Sequence, residues 1–177
     1  MQHFKTATLQ DTETISSLVN KAYRGESSRA GWTTEADILD GLRTSADEVK
    51  QLIESPNTII LLCLDDNELL GSICIERQNT TAHIGMFVVN PMLQARGLGK
   101  CLLAEAEKLA RTMWKVAKFE MHVITLRHEL IAFYERRGYQ RTGVLSKFPV
   151  NPDLWQPKLA GLELEVLEKV YPTSSAA

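Results

Sequence analysis

The sequence predicts a single α/β domain with a mixed, twisted sheet of six or seven strands flanked by helices. Three observations support this prediction. Apolar runs of strand length are interspersed with segments of helical periodicity. Three successive strands near the middle are joined by short polar turns, which indicates antiparallel pairing. After Asn90-Pro91 the order becomes helix, strand, helix, strand, which favours βαβ units with some parallel pairing.

The composition narrows the class of protein. The chain has 177 residues, of which 44% are hydrophobic and 24% charged, as in ordinary globular domains. Its net charge of -2, from 20 basic and 22 acidic residues without a basic stripe, argues against a nucleic-acid partner. The longest apolar run, 58–64, is too short to cross a membrane, and the first residues lack a secretory signal. We therefore expect one cytoplasmic domain over 1–177, with a core of about 3–170 and a frayed tail at 172–177.

The first part of the chain predicts one strand and three helices. Residues 3–9 form the strand. The first helix, capped by Asp11 or Thr12, has an apolar face made of Ile15, Leu18, Val19, Ala22 and Tyr23. The polar segment 24–33 contains two glycines and is predicted to be a loop. Thr33 or Thr34 then caps a short helix to about Leu42, and the capping-box pair Ser45 and Glu48 begins another that ends at Glu54.

The remaining elements follow in order. Strands at 58–64, 69–76 and 81–89 form an antiparallel meander. A helix from Gly97 to Met113, a strand at 119–125, a helix at 128–137 and a strand at 139–144 come next. The segment 146–161 carries three prolines and is predicted to be irregular, and 162–166 alternates as a late strand with one wet face.

Neither the cysteines nor the strand histidines indicate a metal or redox site. Cys63, Cys74 and Cys101 form no CxxC pair, so we expect buried thiols in a reducing compartment. His83 and His122 alternate with apolar neighbours in their strands, as half-buried polar residues do. No His, Cys or carboxylate spacing predicts a metal site.

The junction between a strand and a long helix at residues 88–100 has the chemistry of an anion site. It contains Gln94-x-x-Gly97-x-Gly99 directly at the helix start. The first N–H groups of a helix are unpaired and lie at the positive end of its dipole, and glycines let a ligand approach them closely. Arg96 and Lys100 add positive charge. The junction therefore predicts phosphate or pyrophosphate binding; a plain helix start is the alternative.

Two other phosphate motifs fit this junction less well. A P-loop requires a glycine where Gln94 stands and a Ser or Thr where Cys101 stands. A dinucleotide fingerprint requires a small residue at Leu102, and its acidic residue would be Glu120, near the start of the next strand instead of its end.

Two segments resemble the GNAT superfamily of N-acetyltransferases. Gln94, Gly97 and Gly99 resemble its acyl-coenzyme A signature, Gln or Arg, x, x, Gly, x, Gly or Ala. Residues 129–139 resemble the superfamily helix that ends in Tyr-Glu-x-x-Gly-aromatic. The order of elements matches as well, and the resemblance covers about residues 3–170. One departure is Arg127, which stands where many members have an asparagine that contacts pantetheine; we expect Arg127 to face a phosphate instead.

The resemblance implies acetyl-CoA as cosubstrate and a site around it. The backbone of Phe87 to Val89 would pair with pantetheine, and an N–H near Val88 would polarise the thioester carbonyl. The residues expected around the pyrophosphate are Gln94, Ala95, Arg96, Gly97, Leu98, Gly99 and Lys100. Strands 81–89 and 119–125 should diverge to admit the cofactor. Tyr134, which by itself would be a core tyrosine, is implied to protonate the departing thiolate.

Residues 32–35, which follow the glycine-bearing loop, are expected to contact the acceptor substrate. Trp32 and Thr33 would bind the substrate and Glu35 would act in catalysis, with helix capping as the alternative for this segment. The expected reaction is direct transfer of acetyl from acetyl-CoA to a primary amine, a small molecule and not a protein, without a metal. A homodimer is compatible with the sequence. A catalytically silent acyl-CoA-binding sensor or scaffold module is the alternative, and an NAD-type oxidoreductase is a third hypothesis.

Overall fold

A seven-stranded mixed sheet forms the body of the protein. The structure is a computed structural model that describes residues 1–172; the tail predicted at 172–177 lies outside them, apart from Pro172. The helices are α1 Thr12–Tyr23, α2 Gly25–Ser28, α3 Ala46–Glu54, α4 Leu98–Trp114 and α5 His128–Glu135. The strands are β1 Gln2–Thr6, β2 Leu39–Gly41, β3 Thr58–Asp65, β4 Glu68–Gln78, β5 Thr81–Val89, β6 Lys118–Ile124, β7 Gln140–Lys147, β8 Trp155–Pro157 and β9 Glu163–Val170.

The order of strands in the large sheet is β1-β3-β4-β5-β6-β9-β7. β1 and β3 to β5 pair antiparallel, which confirms the predicted meander. β5 and β6 pair in parallel, as expected from the crossover through α4. β9 lies antiparallel between β6 and β7, so the chain from β6 through α5 to β7 crosses over one strand position.

β5 and β6 diverge, as predicted. They pair only from Thr81–Lys118 to His83–Glu120, and the second halves of both strands lie apart. A β-bulge contributes to the divergence, because Met86 and Phe87 together oppose Ile73 of β4, and Met86 has a left-handed φ of 42°. Such a bulge bends its strand and increases the local twist. The sheet is therefore open at the end of β5 that leads into the 88–100 junction.

Two apolar layers hold the divided sheet. On one face α4 buries Leu102, Leu103, Ala106 and Ala110, and on the other α1 and α3 bury Ile15, Val19, Ala22 and Val49. Each fully buried branched aliphatic side chain contributes about 1.5–3 kcal/mol. Ser45 caps α3 by accepting from the Glu48 N–H at 3.2 Å, within the capping box that the sequence predicts. These layers support β4 and β5 where β6 diverges from β5.

The segment 24–42 differs from its prediction. The predicted loop contains the short helix α2, and the predicted helix from Thr33 or Thr34 to Leu42 is wrong, because turns lead into β2. β2 pairs antiparallel with β8, which comes from the proline-bearing excursion. Leu39 packs with Ile124 and Leu162, so its burial depends on distant parts of the chain. Local periodicity does not contain that information.

The cysteine prediction holds for two of three residues. Cys63 and Cys74 are buried, and burial raises the pKa of the Cys74 thiol to about 12. Cys101 is exposed, contrary to the prediction, because it lies on the side of α4 that faces away from the buried stripe. Within residues 1–172 no helix has the length and apolar character needed to span a membrane.

Candidate functional site

Two cavities meet where β5 and β6 separate. The strand cavity, about 320 Å³, lies between these two strands. The loop cavity, about 370 Å³, lies between the end of β5, the 94–100 loop and α5. Both are lined by Tyr23, Phe87, Arg127, Leu130 and Tyr134. The shared wall brings two separate binding spaces to one point in the protein.

The start of α4 opens into the loop cavity. Ala95 and Gly97 have left-handed φ values of 65° and 81°, and Gly97 is the N-cap of this 17-residue helix. Gln94, Ala95, Leu98, Gly99 and Lys100 line the cavity with Gly97, whereas Arg96 is exposed outside its lining. Unpaired N–H groups and the positive end of the helix dipole therefore face an open space, which suits a phosphate.

Gln94 links this junction to the segment before β2. Its Oε1 accepts from the Trp32 N–H at 2.9 Å, and its Nε2 donates to Thr33 Oγ1 at 2.8 Å and to the Val89 carbonyl at 3.1 Å. A Cβ at Gly31 would lie 2.6 Å from Gln94 Oε1, so only glycine fits there without a shift of the amide. The Gln94 side chain thus positions the walls of the loop cavity.

Trp32 and Thr33 line the loop cavity and not the strand cavity. Trp32 is 38% exposed, and the centroid of its ring lies 5.7 Å from that of the Phe133 ring. Their predicted role in substrate binding stays a prediction, and their position is beside the predicted phosphate loop.

The second half of β5 presents backbone groups to the opening. The N–H of Asn90, the residue after β5, donates to the Leu70 carbonyl of β4 at 2.8 Å. Because backbone amides alternate in direction along a strand, the N–H of Val88 also faces β4. Phe87 and Val89 therefore face the side from which β6 has diverged. The Phe87 carbonyl accepts from the Tyr23 hydroxyl at 2.6 Å, which leaves the N–H groups of Phe87 and Val89 as the donors available there.

Glu35 lies between two guanidinium groups at the strand cavity. The carboxylate is 6% exposed; Arg127 Nη1 donates to its Oε1 at 2.8 Å, and Arg24 Nη1 donates to its Oε2. Arg127 Nη2 also donates to the Thr33 carbonyl at 2.5 Å. Glu35 therefore fixes two arginines and the segment that carries it, and its predicted catalytic role stays a prediction. The Arg127 guanidinium faces the Glu35 carboxylate. The predicted contact of Arg127 with a cofactor phosphate also stays a prediction.

Tyr134 occupies the shared wall. The side chain is 5% exposed and packs against the rings of Phe87, Phe133 and Tyr139. Burial raises the pKa of Tyr134 far above its ordinary value, so the phenol keeps its proton at neutral pH. Its predicted role as an acid is compatible with that state.

The sequence pattern does not identify Tyr23 as a site residue. It places Tyr23 only on the apolar face of α1, yet the Tyr23 hydroxyl donates to the Phe87 carbonyl and the residue lines both cavities. A tyrosine at the last position of an apolar helix stripe, just before a polar loop, is the signal that would have indicated it.

The sequence of residues 12–139 matches the family described as Acetyltransferase (GNAT) family. No curated protein matches the chain. Solved structures do match the chain. The three described next are 13–17% identical to it in sequence, so the similarity shows a common fold alone.

Three solved structures illustrate that fold. The ribosomal-protein-S18-alanine N-acetyltransferase from Escherichia coli has a TM-score of 0.72 at 13% identity, over 100% of this chain and 99% of that one. The PaiA N-acetyltransferase from Thermoplasma acidophilum, in complex with coenzyme A, has a TM-score of 0.68 at 17% identity, over 97% of this chain and 99% of that one. A spermidine N-acetyltransferase SpeG chimera from Vibrio cholerae and hSSAT has a TM-score of 0.69 at 16% identity, over 96% of this chain and 95% of that one.

Proposed function

Because the chain belongs to the acetyltransferase (GNAT) family, we propose that it transfers the acetyl group of acetyl-CoA directly to a primary amine of a small molecule. The observation that carries this proposal is the meeting of two cavities at Tyr134. One space suits the donor and the other the acceptor, with the reacting atoms at the shared wall. Trp32 and Thr33 line the loop cavity and not the strand cavity, so this proposal places them beside the donor and not beside the acceptor.

The donor would lie along the loop cavity and the open side of β5. The N–H groups at the start of α4 would hold the pyrophosphate, and Lys100 would add charge. The free N–H groups of Phe87 and Val89 would pair with carbonyls of the extended pantetheine arm. The structure of the protein from Thermoplasma acidophilum in complex with coenzyme A supports this choice of ligand.

The transfer needs no covalent intermediate on the protein. The amine nitrogen attacks the thioester carbon, and a tetrahedral oxyanion forms near the Phe87 N–H, which donates a hydrogen bond to it. The C–S bond then breaks, the sulfur takes the Tyr134 proton, and the proton that the nitrogen loses restores the Tyr134 phenol. Holding amine and thioester together supplies several kcal/mol of the acceleration. Glu35 acts by positioning Arg24 and Arg127.

The test separates this function from its alternatives. Acetyl-CoA at 100 times its dissociation constant should stabilise the protein by about 2.7 kcal/mol, whereas NAD should not. Thiol release with a panel of primary amines then demonstrates transfer. Stabilisation by acetyl-CoA without thiol release from any amine would support a silent acyl-CoA-binding module, and stabilisation by NAD alone would support an oxidoreductase.

A further inference from the structure

The strand cavity carries more positive than negative charge beside Glu35. Arg24, Arg43 and Arg127 line it, and the Glu35 carboxylate pairs with both Arg24 and Arg127. The other acidic residue in its wall is Glu120, which lies 2.6 Å from Lys118 Nζ, a cation that Glu168 also contacts at 3.1 Å. Two guanidiniums that share one carboxylate leave one unit of positive charge, and Arg43 adds another.

Arg24 is buried with its hydrogen-bonding capacity incompletely used. The residue is 5% exposed, and the hydrogen bond that its side chain makes within residues 1–172 runs from Nη1 to Glu35. Its Nε is closed off from solvent without a partner among those residues. The guanidinium charge is buried and shares its carboxylate partner with Arg127, so a further anion beside it in the cavity reduces the cost of that burial. A guanidinium matches the two oxygens of a carboxylate particularly well.

Arg43 supplies a second cation at the same place. It takes part in no ion pair with residues 1–172, and its charge helps to lower the pKa of Arg24, of which burial is the larger cause. An open groove beyond Arg43 carries Glu48 and Glu76, neither within ion-pair distance of it. The Arg43 guanidinium is therefore available to a ligand in the strand cavity.

We propose that the acceptor is an amine that also carries a carboxylate, and that Arg24 and Arg43 bind this carboxylate in the strand cavity. The inference rests on the proposed function, because it identifies the substrate class of the same site. The amine would lie at the shared wall beside Tyr134 and the acid at the arginines. A diamine would bring its second charge into a cavity lined by three guanidiniums, whose two carboxylates, Glu35 and Glu120, already have cationic partners.

The test measures binding separately from turnover. N-acetylated α-, β- and γ-amino acids and their carboxamide counterparts are titrated calorimetrically into the protein loaded with coenzyme A. At least one acid should bind about tenfold or more tightly than its carboxamide, the lower range for a hydrogen bond to a charged group. Arg43→Gln should remove this preference. Arg29→Gln is the matched control, because Arg29 is exposed and pairs with Glu26 and Asp37 outside both cavities.

The binding and turnover results together separate the carboxylate site from the proposed function. Carboxamides that bind as well as the acids, an unchanged preference in Arg43→Gln, or no binding of any acid would overturn the inference. If amines without a carboxylate are then acetylated, the proposed acetyl transfer is supported and the carboxylate site is not. If the acids bind with an Arg43-dependent preference and no amine releases thiol, the anion site stands and acetyl transfer fails.

Discussion

Two neighbouring buried tyrosines allow the acid role of Tyr134 to be separated from its packing. Their ring centroids are 5.9 Å apart, and burial raises the pKa of both phenols. The Tyr139 hydroxyl donates to Glu107 Oε1 at 2.7 Å, whereas the Tyr134 hydroxyl makes no hydrogen bond with the described residues 1–172. Removing the two oxygens, as Tyr134→Phe and Tyr139→Phe, should therefore have opposite consequences.

The expected magnitudes follow from these contacts. Tyr134→Phe loses no hydrogen bond, so its free energy of unfolding should stay within about 0.5 kcal/mol of the parent. Its kcat should fall about 10²-fold, the low end for general acid catalysis. Tyr139→Phe loses a hydrogen bond to a buried carboxylate, which costs about 1.5–3 kcal/mol. Each kcal/mol lowers Tm by about 2–4 °C for a chain of this size, and kcat should be unchanged.

The assay is thiol release in a single turnover, with the enzyme in excess over acetyl-CoA and the amine saturating, together with thermal unfolding of the same samples. Single turnover isolates the chemical step from product release. A Tyr134→Phe protein with the parental rate of chemistry would show that Tyr134 is a packing residue. An equal loss of rate in Tyr139→Phe would show that the assay reports local packing and not proton transfer.

Three further predictions concern the junction at 94–100, the contact between Gly31 and Gln94, and the buried tyrosines. Gly97→Val should raise the KM for acetyl-CoA strongly, because a left-handed φ of 81° disfavours a β-branched residue; Arg96→Ala should change it mildly, and unaltered coenzyme A affinity in Gly97→Val would place the phosphate elsewhere. Gly31→Ala should lower Tm and raise the same KM, since its Cβ displaces the Gln94 amide; a crystal structure with Gln94 unmoved would contradict this. Burial raises the pKa of Tyr23, Tyr134, Tyr139 and Tyr171, so these phenols keep protons that the unfolded chain loses above about pH 10, and stability should fall as pH rises from there. Tyrosinate absorbance that appears without loss of the fold would refute it.

The sequence predicted what depends on local pattern. The meander, α1, α3 and the junction at 94–100 are encoded by alternation, apolar periodicity, capping residues and glycine spacing, and the structure has them all. The divergence of β5 from β6 was expected from the resemblance, and the bulge at Met86 and Phe87 accompanies it.

What the sequence did not predict depends on contacts between distant residues. β2 exists because β8, more than 100 positions later, pairs with it. Gln94 was expected at the phosphate, and its side chain instead bonds Trp32 and Thr33, about 60 positions earlier. The pairing of Glu35 with Arg24 and Arg127 likewise joins α1, the following turns and the start of α5. Such pairings arise only once the chain has folded.

The divergence of β5 from β6 gives the sheet an edge inside the protein. Unpaired strand edges normally invite other chains to add on and aggregate, and proteins protect them at the surface. The inner edge at Phe87 and Val89 opens into the cavities, where an extended small molecule with amide groups can complete it. Amide hydrogen exchange should therefore follow a period of two residues along this strand, slow at Val88 and fast at Phe87 and Val89, until a ligand takes the place of the missing strand.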